Sequence, residues 1–305
     1  MGNLESQHSL NWQSKIILLL VVPWTAISAL LDSLWWSNQV PVVAWTTLGI
    51  CSVFGLVVWR LRAGTAAAAA TGATLAASLM YSTTNYPYSS SWLHGGLLPV
   101  LAVFLIAYAA TKIGRSKKEK LGTSEEKHGR NSAQVAANLG AAALLAHPTL
   151  SALFLGTLGS AQHGPSLALT LSSAALAEAA ADTASSEIGQ VFGGRPRMVT
   201  SLRVVEPGTD GAITLIGTAA GVVAAAIIGA VSALVLGPVL GNGWSIFWLV
   251  FVGGVFGLLF DSLLGATLER GRWLNNDAVN FLSTLSAPAF SVAVVLALEH
   301  FQFRY

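Results

Sequence analysis

The chain has 305 residues, of which 53% belong to the apolar and aromatic set and only 10% are charged, with a formal net charge of +2. Together with a mean hydropathy of +0.63, this excludes an ordinary soluble globular domain and describes a polytopic membrane protein. The fold class expected is all-α, a helical bundle embedded in the bilayer, and no nucleic-acid partner is expected.

Apolar runs near the ~20 residues needed to cross a bilayer recur along the whole sequence. Nine spans are predicted, over residues 16–31, 40–59, 64–81, 95–111, 133–150, 167–181, 212–236, 244–264 and 281–298. Placing the N-terminus in the cytoplasm puts fifteen of the sixteen Lys and Arg residues on the inner face, with Arg304 alone outside, as cationic loops prefer. The first span follows Glu5 and just Lys15, so it reads as a membrane helix rather than a cleaved leader. Met1 to Ser6 also fits the loose pattern for myristoylation. The lone Cys51 lies in an apolar run and reads as a packing residue.

One domain, 1–305, is expected, with peripheral spans in 1–94 and a core carrying the polar site in 95–300. In the first half, polar residues inside spans are few, Asp32 being one. From Thr111 onward they gather where the chain meets the inner face, while the outer loops 151–164 and 237–243 carry no acid, Lys or Arg. The repeats Gly217-x-x-x-Gly221 and Gly253-x-x-x-Gly257 place small residues on one helix face for close packing. The run Ala66 to Ala70 reads the same way.

The loop at 112–130 is strongly basic. It reads either as an anchor to anionic lipid or as an electrostatic collar, formed by Lys117, Lys118 and Arg130, for a phosphorylated ligand. Gln134 and Asn138 follow at i,i+4 and so share a helix face. Glu178 and Asp182 share a face in the same way, and Glu187 is expected near the next turn or in a loop. Acids at the end of an apolar helix are unfavourable unless paired, hydrated or metal-bound. Salt bridges to Arg195, Arg197 or Arg203 are one reading. The other is Mg²⁺, which binds through one or two carboxylates plus phosphates and water.

Glu206 to Gly211 forms a small polar turn before a long apolar helix. Thr209 or Asp210 is a natural N-cap, and the glycines Gly208 and Gly211 also let backbone amides approach a phosphate. Asp261 and Ser262 lie at the inner end of the eighth span. Asn275 or Asn276 caps the ninth, whereas Asn280, one turn inside it, wants a partner or ligand. The six histidines show no zinc spacing.

Taken in order, Asp182-Thr183-x-x-Ser186-Glu187-Ile188-Gly189, Pro207-Gly208-Thr209-x-Gly211, Gly217-Thr218, Asp261-Ser262-x-Leu264-Gly265-Ala266 and Asn275-Asn276-Asp277-x-Val279-Asn280 resemble the membrane family called domain of unknown function ninety-two. That family includes the plant phytyl-phosphate kinase of the tocopherol pathway. The resemblance covers roughly residues 98–298. It implies a phosphotransferase that passes a phosphoryl group from CTP or another nucleoside triphosphate to an isoprenoid lipid phosphate. In that reading Asp182 and Glu187, with Asp277, hold Mg²⁺. The turn at Gly208, Thr209 and Gly211 receives donor phosphates, and Lys117, Lys118 or Arg130 steers the anions. Asn138, Asp261 and Asn280 complete the metal or substrate shell. A nucleotidyltransferase that makes a CDP-lipid and a cation- or proton-coupled transporter remain the alternatives. The active face is expected to be cytoplasmic, in the plasma membrane if the chain is bacterial.

Overall fold

The structure is a computed structural model that describes residues 10–84, 96–123, 129–157 and 164–302. It is almost entirely helical: α1 (Trp12–Gln39), α2 (Pro41–Arg60), α3 (Ala66–Ser82), α4 (Leu97–Lys112), α5 (Arg115–Leu121), α6 (Ser132–Ala146), α7 (Pro148–Thr157), α8 (Gly164–Phe192), α9 (Leu215–Leu240), α10 (Gly243–Leu264) and α11 (Asn276–Gln302). A π turn, Gly265–Glu269, extends α10, and two short strands, β1 (Arg197–Met198) and β2 (Ala212–Ile213), pair antiparallel before α9. The myristoylation pattern and the start of the fourth predicted span at residue 95 lie outside the described residues.

Helix occupies part or all of every described stretch predicted to span, but the count of nine is larger than length and apolarity support. Among the described residues five helices, α1, α2, α9, α10 with its π turn and α11, are individually long and apolar enough to cross a membrane. Up to seven do so if the bent pairs α4–α5 and α6–α7 each count as one. The bends have local causes. Gly114, at φ +62°, separates α4 from α5 and turns the chain by 64°, so part of the basic loop is a short helix. His147 is extended and Pro148 starts α7, and the two helices meet at 87°; proline has no N–H for a continuing ladder. The predicted outer loop from 151 therefore begins as helix.

Two boundaries move in ways that affect the site. The sixth predicted span does not stop at Ala181, because α8 runs unbroken to Phe192, placing Asp182 and Glu187 within a helix rather than beyond one. The seventh starts later than residue 212. Ala212 and Ile213 form β2, and Thr214 caps α9 by accepting from the Gly217 amide at 3.0 Å, so neither Thr209 nor Asp210 is the cap.

Packing is inverted relative to a soluble protein. Large apolar side chains such as Trp45, Leu215 and Leu234 face outward, while the interior is dominated by alanine, including Ala136, Ala137, Ala177, Ala180 and Ala225. Without a hydrophobic drive between helices in lipid, association rests on close approach, which small residues allow. A Cβ added at Gly221 would sit 2.8 Å from the Ala181 carbonyl oxygen on α8. One at Gly253 would meet the Ala287 carbonyl of α11 at 2.9 Å, and one at Gly257 would meet Glu178 Cγ at 2.4 Å. The two glycine repeats thus draw α8, α9, α10 and α11 into one tight group.

One end of the bundle collects the polar residues. Gln13 and Ser14 at the start of α1 bond to the segment leading into α11. Gly64, before α3, bridges Arg130, before α6. Lys117 and Lys118 on α5 reach the far end of α8. The loop from 193 to 214 closes over the same end.

Candidate functional site

At that end lies a polar cavity of about 410 Å³. Its walls come from α6 (Gln134, Asn138), α8 (Asp182, Thr183, Ser186, Gln190), the loop Pro207 to Thr214, the end of α10 and its π turn (Asp261, Ser262, Glu269) and α11 (Asn276, Asn280), with Arg130 beside α6. Residues distant in sequence meet here because the glycine-mediated packing brings the ends of α8 and α10 within reach of the starts of α6, α9 and α11.

Arg130 is positioned through its backbone. Its N–H donates to the Ala63 carbonyl at 3.1 Å and its carbonyl accepts from Thr65 N–H at 3.0 Å. Gly129 makes this approach feasible: it has φ +74°, and a Cβ there would lie 2.4 Å from the Ala63 carbonyl carbon. The guanidinium then reaches α8, where Nη2 donates to Thr183 Oγ1 at 3.2 Å, and it lies close enough to Asp182 to interact with its charge.

Asp182 and Asp261 face each other's field across α8 and α10. Both are partly accessible from the cavity. Asp261 Oδ2 accepts from Ser283 Oγ of α11 at 3.0 Å. One turn deeper on α8, Glu178 is 1% exposed and its Oε1 has no hydrogen-bond partner among the described residues, while its carboxylate interacts with the charges of Asp261 and Asp182. Gln190 Oε1, on the cavity wall, is likewise buried and unpartnered. Gln190 Oε1 at the cavity wall and Glu178 Oε1 just beneath it thus lack protein donors among the described residues, an arrangement suited to a cation, a donor ligand or water.

The glycine turn performs two tasks. Gly211 has φ +72°, and a Cβ on it would sit 2.1 Å from the Ala266 amide nitrogen, so the loop lies directly against the π turn. The Thr209 and Ala212 amides are turned onto the Glu206 and Thr209 carbonyls, and the Thr209 hydroxyl donates to the Glu206 carbonyl at 2.7 Å. Gly208, at φ +84°, lines the cavity beside them.

The residues anticipated from the sequence divide into two groups. Asp182, Asp261, Asn280, Gly208, Thr209, Gly211, Arg130 and Asn138 all line the cavity, with Gln134 and Asn276. Glu187, Asp277, Lys117 and Lys118 do not. Glu187 pairs with Lys118 Nζ at 2.5 Å and accepts from Thr111 Oγ1 at 3.2 Å. Lys118 is buried, and it also donates to the Ala110 and Thr111 carbonyls at the end of α4, while Lys117 donates to the Val191 carbonyl near the end of α8. Both lysines satisfy helix C-terminal carbonyls. Asp277 accepts from Ser14 Oγ at 2.6 Å, and Asn275 caps α11 by accepting from the Ala278 amide at 2.9 Å; both tie α1 and α11 together. The metal set Asp182, Glu187 and Asp277 is therefore not gathered. No group of three or more metal-ligating His, Cys, Asp or Glu side chains occurs among the described residues. Three acids absent from that set, Asp261, Glu269 and Asp210, do line the cavity. The salt bridge at the end of α8 is made with Lys118, not with Arg195, Arg197 or Arg203; Arg197 donates to the Leu202 carbonyl.

The family model for integral membrane protein DUF92 matches residues 49–288, which takes in every segment that builds this cavity. The chain belongs to that family. The match begins at residue 49, within α2, and so extends further toward the N-terminus than residue 98. An uncharacterized membrane protein of Methanocaldococcus jannaschii is 42% identical over 123 residues, 40% of this chain and 50% of that protein. An uncharacterized membrane protein of Synechocystis is 30% identical over 69% of this chain and 82% of its own length. The chloroplastic protein VTE6 of Arabidopsis thaliana is 30% identical over 68% of this chain and 60% of that protein. The matched region thus spans only about half of the archaeal relative and three fifths of the chloroplastic one. No solved structure matches the chain.

Proposed function

We propose that this membrane protein is a phosphotransferase that moves the terminal phosphoryl group of CTP or another nucleoside triphosphate to a prenyl monophosphate. The observation that carries this reading is the meeting of Asp182 and Asp261 with Arg130 and the Gly208 to Gly211 turn around one polar cavity. The family's inclusion of the plant phytyl-phosphate kinase supports it. Positive charge collects at the same end, where Arg62, Lys112, Arg115, Arg270 and Arg272 accompany Arg130, and on that basis the cavity faces the cytoplasm and its nucleotide pool.

In the proposed reaction an oxygen of the prenyl phosphate attacks the γ-phosphorus. One P–O bond forms as the bond from γ-phosphorus to the β,γ-bridging oxygen breaks, and the nucleoside diphosphate leaves with that electron pair. The attacking oxygen is already anionic, so no catalytic base is required. The task left to the protein is placement and charge neutralisation. Arg130 supplies a fixed planar cation at the wall where phosphates meet. Gly208, Asp210 and Gly211 can turn backbone amides toward the donor, and Asn138, Gln134 and Asn280 supply side-chain amides to either substrate. Mg²⁺ fits the donor set: Asp182 and Asp261 would hold it with two hard carboxylates, leaving room for phosphate oxygens and water. When bound, it would offset charge developing on the transferred group.

The test is turnover by purified protein in lipid nanodiscs with Mg²⁺, CTP and farnesyl or phytyl monophosphate. Formation of the prenyl diphosphate and CDP is expected. Release of inorganic diphosphate with a CDP-lipid product would replace this reading with nucleotidyl transfer. Ion flux in vesicles, without turnover across a panel of nucleotides and lipid phosphates, would replace it with transport.

A further inference from the structure

Beside the polar cavity, a second and narrower space opens between α2, α3, α4 and α6. It measures about 110 Å³ and is lined chiefly by apolar groups, among them Phe54, Val58, Val103, Phe104 and Leu139. Its character changes along its length. Phe54 of α2 meets Phe104 of α4 edge to face with centroids 5.4 Å apart, Phe104 stacks on Tyr108 at 5.8 Å, and Lys112 Nζ lies 5.2 Å from the centre of the Tyr108 ring. One aromatic ladder therefore leads from an apolar interior to a cationic rim, where Arg62, Lys112, Arg115 and Arg130 also border the opening. The two spaces share Arg130 and Asn138 as lining residues.

We propose that this groove holds the chain of a single-chain isoprenoid monophosphate, with its phosphate delivered past Arg130 and Asn138 into the polar cavity. The proposal rests on the lipid-phosphate reading of the function. Three features select this occupant. The groove is small, about 110 Å³, which suits one chain rather than the two of a diacyl lipid. Its rim is cationic and complements an anionic headgroup. Its aromatic faces suit branched, unsaturated isoprene units. From Val100 to Lys112 the bordering part of α4 rises about 18 Å, enough for several such units. Arg130 presents a planar fork that matches phosphate oxygens, and Asn138 supplies an amide donor next to it.

The test uses a farnesyl monophosphate analogue carrying a diazirine on its distal isoprene, with the full-length protein in nanodiscs. Photoadducts are expected on Phe54, Val103 and Phe104. Unlabelled farnesyl monophosphate should compete for them at least about tenfold better than farnesol. Val103→Trp, which fills the groove, should cut labelling about tenfold while leaving CTP binding unchanged. Val58→Trp should act alike, so that one poorly folded variant does not decide the matter. Arg130→Gln should retain adducts but narrow the preference for phosphate over alcohol. Adducts spread equally over the lipid-facing sides of α1 and α9 would overturn the proposal. So would labelling that survives both tryptophan variants, or competition by diacyl phosphatidic acid equal to that of farnesyl monophosphate. Adducts in the groove without phosphoryl transfer would remove the proposed reaction and leave the groove standing; transfer with adducts elsewhere would do the reverse.

Discussion

Lys118 and Glu187 form an ion pair that fastens the bend between α4 and α5 to the side of α8. The lysine is 1% exposed and its remaining bonds go to the carbonyls of Ala110 and Thr111. Removing one member of a buried pair leaves an uncompensated charge, with a loss of about 3–5 kcal/mol. Glu187→Gln and Lys118→Met are each expected to lower the melting temperature in detergent markedly. The double variant Lys118→Met/Glu187→Met should recover much of the loss, because replacing a whole buried pair with apolar groups is often neutral. A Glu187→Gln protein that keeps its melting temperature but needs far more Mg²⁺ would return this acid to the metal.

Asp182 and Asp261 give the opposite signature. The charge of Asp182 acts unfavourably on Asp261, Glu178 adds a third carboxylate beneath them, and Arg130 offsets part of the charge on Asp182. Burial disfavours both charges more than Arg130 offsets that of Asp182, so neutralising either acid removes an unfavourable buried charge. Asp182→Asn and Asp261→Asn should melt at or above the temperature of the parent, while the proposed phosphoryl transfer falls by about a hundredfold or more. This pairing of retained stability with lost activity is the mark of a functional site. A coupled assay for CDP release, run beside a thermal melt, reads both, and a large drop in stability for either variant would instead assign it a structural role.

The contrast between these acid sets explains what could be read from the sequence. Asp182, Asp261 and Asn280 stood out because a polar side chain in an apolar helix is conspicuous whatever surrounds it. Their partners were less visible. The lysine that engages Glu187 lies 69 residues away, across a bend that depends on the positive φ of Gly114, and no periodicity reports it. Lys117 and Lys118 read as a collar because their charge is visible, while the helix ends that they satisfy are known only from the packing. Thr214 caps α9 in place of Thr209 because Ala212 and Ile213 pair with Arg197 and Met198, and strands of two residues carry no alternation to detect. Glu269 passed unnoticed because a π turn extends α10 beyond Leu264; its spacing of eight from Asp261 was the available sign.

Loop closure over the cavity hinges on Gly211. Alanine there would have to adopt a left-handed conformation, at about 1–2 kcal/mol, and its Cβ would collide with the Ala266 backbone. Gly211→Ala should therefore lift the segment from 194 to 214 off the π turn without unfolding the helices. Limited trypsin digestion checks this, since Arg197 and Arg203 lie in that segment. Cleavage there should accelerate several-fold, with the helical circular dichroism unchanged. An unchanged digestion rate would mean that the loop is held by contacts other than this close approach.

Glu269 supplies the remaining prediction, because it borders the cavity from the π turn and interacts with the charges of Asp210 and Asp182. It is only half-buried, and among the described residues no cation pairs with it, so Glu269→Gln should change stability by less than about 1 kcal/mol. Its effect should fall on cation binding. Loss of one carboxylate from the field around Asp182 and Asp261 weakens attraction for a divalent ion. The Mg²⁺ concentration for half-maximal turnover should rise several-fold, with the rate at saturating Mg²⁺ changed little. Glu269→Lys should go further, placing a cation beside the proposed Mg²⁺ position and abolishing the proposed turnover at any Mg²⁺ concentration. A Mg²⁺ titration of both variants against the parent separates the outcomes. If Glu269→Gln lowers the saturated rate and leaves the midpoint unchanged, the side chain contacts substrate rather than shaping the field that holds the ion.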